Sequence, residues 1–150
     1  MERVMRPETQ QFMKFIETKG LLFTTERKSV AEEVFSTHDH LDAEEVLKKL
    51  KSTGSKASRA TVYRTLDLLV ESGLVEKIDL GEGRSAYEHT AGHPHHDHLV
   101  CTACGEVQEF EEPLIEQLQE WACEKAGFKA IGHSLNIYGW CAKCKLAVKA

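Results

Sequence analysis

Cys101-Thr-Ala-Cys104 and Cys141-Ala-Lys-Cys144 form two C-x-x-C knuckles. Together they supply four thiolates, the full tetrahedral complement of a structural zinc ion. Just upstream, His93-Pro-His-His-Asp-His98 offers imidazoles and a carboxylate that such a thiolate site does not need. One stretch therefore points to one metal held for folding and at least one more bound for another purpose. The knuckles flank 36 residues, Gly105 to Trp140, so a zinc ion there would clamp a whole subdomain shut. Structural zinc sites contribute roughly 10–16 kcal/mol, more than a core this small can supply alone.

Side chains alternate along an extended strand, so His96 and His98 face one way while His95 and Asp97 face the other. This parity predicts two ligand sets, one of nitrogens and one of nitrogen and oxygen, each needing partners from elsewhere. Glu88, Glu109, Glu116, His133 and His40 are the candidates. Mixed imidazole and carboxylate sets suit Fe(II), Mn(II), Co(II) or Zn(II). His89 fits neither set and stays unassigned; His93 is expected in solvent. The fifth cysteine, Cys123, falls within a predicted helix and reads as a small apolar residue.

The elements that must carry these groups fall into two blocks. Helical periodicity covers about Thr9 to Lys19, stopped by Gly20, and then about Thr25 to Thr37, with Val30, Val34 and Phe35 on one face. A third helix opens with a capping-box pattern, Asp42 with Glu45, and ends near Gly54. Ser58 can cap a fourth that runs to about Ser72, with Gly73 as its stop and Val62, Leu66, Leu69 and Val70 as its buried stripe. Strands at 74–79 and 85–89 around Gly81-Glu82-Gly83 form a hairpin. Helices followed by a small hairpin describe a winged helix. Beyond it, short strands fit 96–101 and 107–110, a helix starts near Pro113 and stops at Gly127, and a last strand runs from about Phe128 to Tyr138. The predicted class is α+β: a winged-helix DNA-binding domain over residues 1–84, then a small α/β metal-binding dimerisation domain over 85–150.

The chain has 150 residues and a net charge of −5, which by itself argues weakly against nucleic acid. The distribution matters more. Residues 1–85 carry 14 basic and 15 acidic residues, a net of −1, and residues 86–150 carry 5 and 9, a net of −4. Between Val46 and Leu66, Lys48, Lys49, Lys51, Lys56, Arg59 and Arg64 occur with no acid, a local basic surface of the kind that serves a DNA site. On the fourth helix Ala60, Thr61 and Arg64 lie away from the apolar stripe, with Tyr63 at its flank. Small residues there allow close groove approach, Arg64 can meet a phosphate or guanine, and the Tyr63 ring can pack on a thymine methyl. No segment has the apolar length of a membrane span, and the first residues lack the apolar run of a signal peptide. The expected address is the cytoplasm, where paired cysteines read as metal ligands.

Ala60-Thr-Val-Tyr-Arg64, then His95-His-Asp-His98-Leu-Val-Cys101-Thr-Ala-Cys104-Gly, then His133-Ser-Leu and the second C-x-x-C, resemble the ferric uptake regulator family of metal-dependent repressors. The likeness runs from about Gly20 to Cys144. It implies a structural zinc on Cys101, Cys104, Cys141 and Cys144. It implies a regulatory site from His40, Glu88, His96, His98 and Glu109, and a further one from His95, Asp97, Glu116 and His133. It assigns DNA contacts to Arg27, Ser58, Ala60, Thr61, Tyr63 and Arg64. Its partners would be a palindromic, AT-rich operator and a second copy of the chain, as a homodimer or a tetramer of paired dimers. Leu22 stands where many members carry a basic residue, and Glu26 where a proline is common.

Members of this family respond to iron, zinc, manganese, nickel or peroxide. Glutamates at 88 and 109, and no spare cysteine besides Cys123, lean towards Fe(II) as the regulatory metal, with Zn(II) or Mn(II) as substitutes and a peroxide sensor as the alternative. Outside the family, a metal-dependent hydrolase would need an open coordination position. No H-E-x-x-H occurs and the knuckles leave no such position, so the chain reads as no enzyme. A metal-storage module without a DNA role is the other rival.

Overall fold

A computed structural model describes residues 4–90 and 95–147, so His93 lies outside the described residues. The chain divides into two compact units, Met1–His93 and Pro94–Ala150. The division falls beyond the expected boundary at 84/85 because the second hairpin strand stays with the first unit, paired along its length.

The first unit holds α1 (Pro7–Thr18), α2 (Thr25–Phe35), α3 (Ala43–Ser52), α4 (Arg59–Glu71), β1 (Val75–Gly81) and β2 (Arg84–His89). Proline at the first turn of α1 starts that helix two residues ahead of the predicted Thr9. The caps follow the residue types. The Thr24 side chain accepts from the Arg27 N–H, Ser58 from the Thr61 N–H, and Asp42 and Glu45 complete a reciprocal capping box. Each helix turns one stripe inward. Phe12 and Ile16, Val30, Ala31, Val34 and Phe35, Val46, Leu47 and Leu50, and Val62, Leu66 and Leu69 build one core. On α4 the buried stripe takes Thr65 in place of the expected Val70, which is only partly buried. The Thr65 hydroxyl can turn inward because it donates to the Thr61 carbonyl at 2.7 Å.

β1 and β2 pair antiparallel, from Val75 opposite His89 to Gly81 opposite Arg84, with a register shift between Asp79 and Gly81. The turn places Gly81, Glu82 and Gly83 at φ values of 83°, 54° and 74°, a left-handed run that glycine makes accessible. A bridge between Leu41 and Tyr87 ties the segment after α2 to β2, which brings His40 beside Glu88.

The second unit holds β3 (Asp97–Cys101), β4 (Val107–Phe110), α5 (Pro113–Lys125), β5 (Asn136–Gly139) and a short α6 (Cys144–Ala147). The sheet order is β4-β3-β5, with β4 antiparallel and β5 parallel to β3. The long strand expected over 128–138 is corrected: only its end pairs. Residues 128–134 include Lys129, Gly132 and Ser134 without an alternating apolar face, and Ile131 is wholly exposed. The α6 turn was absent from the sequence reading. Among the described residues no helix is long and apolar enough to cross a membrane.

Candidate metal centres and nucleic-acid surface

The two knuckles meet. β3 ends at Cys101 and a turn returns Cys104. β5 stops at Gly139, just before Cys141 and the first residue of α6, Cys144. One ligand atom from each of the four lies within 4.8 Å of the others, and the Cys104 and Cys141 sulfurs are 3.9 Å apart. Thiolates about 2.3 Å from a tetrahedral zinc stand about 3.8 Å from each other, so the cluster has the dimensions of that ion. The Cys141 N–H donates to the Cys101 sulfur at 3.3 Å. Backbone donors of Cys141 and Cys104 hold the Cys101 thiol down to about 6. Hydrogen bonds with Cys141, Cys101 and Cys104 push Cys144 up to about 12, and Cys104 is also raised, against the lowering effect of the Glu106 backbone. The Cys101 thiolate forms readily, whereas Cys104 and Cys144 hold on to their protons. A divalent cation removes that conflict.

The parity of the histidine stretch holds. His95 and Asp97 share one side, where they meet His133 from the segment before β5 and Glu116 from the first turn of α5. The His95 and His133 Nε2 atoms stand 2.9 Å apart, His95 Nε2 is 3.2 Å from Asp97 Oδ1, and His133 Nε2 is 3.3 Å from Glu116 Oε1. Nitrogen and oxygen ligands at about 2.0–2.1 Å from a tetrahedral ion have edges near 3.4 Å. Asp97 is 1% exposed, and its Oδ2 is buried with no hydrogen-bond partner among the described residues. A buried, half-satisfied carboxylate facing two imidazoles is costly unless a cation joins them. The donor set fits one.

The remaining five expected ligands form two groups, a pair in the first unit and a trio in the second. In the first unit, His40 Nε2 lies 3.2 Å from Glu88 Oε2, with Glu88 buried. In the second, His96 Nε2 lies 3.1 Å from Glu109 Oε1, and the His96 and His98 rings are 5.3 Å apart. His98 sits opposite Glu109 in the β3–β4 ladder, which explains why these three converge. His89, left open by the sequence, packs its ring 5.1 Å from His38 and 6.1 Å, edge-on, from Phe35.

The residues assigned to DNA spread over the exposed side of α4 and its neighbour α2. Arg27, Thr61 and Arg64 line one groove together with Leu21, Leu22 and Thr24. The Arg27 guanidinium donates to the Leu22 carbonyl. Ala60, Tyr63 and Arg64 are exposed, and the Ser58 hydroxyl is engaged as the α4 cap. Tyr63 opens onto a second depression with Glu44, Asp67, Lys77, Arg84 and Tyr87. Burial, with Asp67 beside it, pushes the Tyr87 phenol up and keeps it neutral. Sequence reasoning missed the salt bridge between Arg59 and Glu44. The only signal was Arg59 beside the Ser58 cap and a free carboxylate in the first turn of the preceding helix.

A ferric uptake regulator from Legionella pneumophila is 46% identical over 110 residues, covering 73% of this chain and 80% of that one. A Francisella tularensis ferric uptake regulator solved with iron is 36% identical with a TM-score of 0.72, covering 84% and 96% of the two chains. The Helicobacter pylori ferric uptake regulator, whose structure reveals three functional metal binding sites, matches at a TM-score of 0.77 and 27% identity, over 97% of both. The architecture is that of these regulators, a winged-helix DNA-binding domain followed by a dimerisation domain. The model of the Ferric uptake regulator family matches residues 18–138, and the chain belongs to that family of metal-responsive transcriptional regulators.

Proposed function

We propose that the protein is an Fe(II)-activated repressor that binds operator DNA as a homodimer in the cytoplasm and acts without enzymatic chemistry. What supports this reading is an incomplete group of metal-type donors in each unit. His40 and Glu88 belong to the winged-helix unit; His96, His98 and Glu109 belong to the other. Neither group alone is a complete coordination set. When bound, a divalent cation supplies positive charge and directional bonds to imidazole and carboxylate donors. His40 and Glu88 would then link metal binding to the winged-helix unit, and His96, His98 and Glu109 would link it to the dimerisation unit, so that metal and operator would favour the same state. Ligands that favour one conformation raise each other's affinity, typically by about 1–3 kcal/mol.

Cys101, Cys104, Cys141 and Cys144 would hold zinc for folding, and His95, Asp97, Glu116 and His133 would hold a further ion. The dimer reading rests on α5, which buries none of its residues within the single chain and exposes Leu114, Leu118 and Trp121 along one side. Two copies on a two-fold axis would read a palindromic, AT-rich operator. Manganese in place of iron is the second reading, since the five donors include no thiolate to discriminate between them.

The test is a mobility-shift titration with Fe(II), Mn(II) and Zn(II) against protein whose zinc is retained. His40→Ala and Glu88→Gln are expected to abolish the metal-dependent shift while leaving the dimer intact. Metal-independent binding of the same duplex at equal affinity would refute the repressor mechanism.

A further inference from the structure

Glu44 has none of the roles above, yet it pairs with Arg59 of the basic stretch at the proposed DNA surface. Glu44 stands in the first turn of α3, where the helix dipole favours a carboxylate. Its Oε1 pairs with the Arg59 guanidinium and also accepts a long hydrogen bond, 3.4 Å, from the Tyr63 hydroxyl. Arg59 and Tyr63 are four residues apart, so they share one face of α4. The pair is exposed, with side-chain exposures of 62% for Arg59 and 51% for Glu44. Exposed ion pairs contribute little to stability. The helix dipole of α3 accounts for an acid at Glu44, but the stability of the ion pair does not account for its pairing with Arg59 at the start of α4.

An acid at a DNA surface has two consequences. It repels phosphate, and it occupies a cation that would otherwise meet phosphate at any sequence. Sequence-independent affinity comes almost entirely from such phosphate contacts, whereas discrimination comes from groups held in fixed register against base edges. We propose that Glu44 is a specificity-determining residue: it withholds Arg59 from indiscriminate phosphate contact and positions Arg59 and Tyr63 for base reading. This rests on the reading of α4 as the helix that enters the groove.

The experiment uses the full-length, manganese-loaded dimer with two probes. One is duplex recovered by the wild-type protein from a randomised pool; the other is the unselected pool itself. Glu44→Gln keeps the shape and removes the charge. Its affinity for unselected duplex is expected to rise severalfold, with a salt slope steeper by about 1.8, the signature of one added phosphate contact per chain of the dimer. Discrimination between the two probes narrows accordingly. In an Arg59→Ala background the effect of Glu44→Gln on the salt slope is expected to shrink, because contacting residues are non-additive. An unchanged salt slope and unchanged discrimination in Glu44→Gln overturn the proposal, and so does a slope change of undiminished size without Arg59. Arg64→Ala separates the two levels of argument. If it leaves selected-duplex binding intact, the α4 reading itself fails; if it weakens binding while Glu44→Gln is silent, only the Glu44 role fails.

Discussion

Replacing Cys141 with serine should unfold the second unit and leave the first one standing. The asymmetry follows from how each unit is held. Among the described residues the first has a core cluster of seventeen buried apolar residues, seven of them with no exposed surface on α1, α2 and α4 alone: Phe12, Ile16, Val30, Ala31, Val62, Leu66 and Leu69. In the second, among the described residues, only Val100 and Cys101 are buried and apolar; Asp97 and His98 are buried and polar. Fully burying one valine contributes about 1.5–3 kcal/mol. A structural zinc contributes roughly 10–16 kcal/mol, so the metal decides whether β3, β4 and β5 stay together. Serine removes one thiolate from the tetrahedral set and Cys141 is the residue whose N–H also holds the Cys101 sulfur. Limited proteolysis with mass mapping reads the outcome directly. Cleavage is expected throughout 95–147 while 4–90 stays protected, and dimers are lost with the second unit. Chelation of wild-type zinc should reproduce the pattern. A second unit that resists protease with no zinc bound would refute the argument.

Zinc affinity should weaken as pH falls. Cys144 is pushed up to about 12 and Cys104 is raised, so zinc must displace their protons, and acid favours the protonated competitor. Competition against a chromophoric chelator across neutral to mildly acidic pH checks this; affinity independent of pH would contradict it. Leu66→Ala removes a side chain with no exposed surface and is expected to lower the stability of the winged-helix unit by about 2–5 kcal/mol in urea titration. A loss below about 1 kcal/mol would show that α4 is not seated by that stripe. Asp97→Ala deletes the buried carboxylate between His95 and His133. Elemental analysis after equilibration with Mn(II) or Zn(II) should show one fewer bound equivalent per chain, with the thiolate zinc retained.

Local chemistry was readable wherever a few neighbouring residues decide the outcome. Asp42 with Glu45 and Ser58 alone announced two helix starts, and both caps form. Strand alternation separated His95 and Asp97 from His96 and His98, and the contacts follow that split. What failed depended on partners distant in sequence. The stretch before β5 has β-forming residues but no alternating apolar face, so pairing begins only where it can join β3, at Asn136. The placement of β2 is fixed by β1 and by the Leu41 bridge, not by its own composition. His89 and Arg59 gained their neighbours, His38 and Glu44, from loop and helix placement across 51 and 15 residues of chain, which no local spacing encodes.

The most direct measurement is the affinity of the zinc-retaining dimer for Mn(II) or Fe(II), determined free and again when saturated with selected duplex. Coupling is reciprocal, so DNA should tighten metal binding by the same factor that metal tightens DNA binding, about 5–150-fold. The His40→Ala protein should show neither effect. A metal affinity that is the same with and without duplex would contradict a shared orientation set by His40, Glu88, His96, His98 and Glu109.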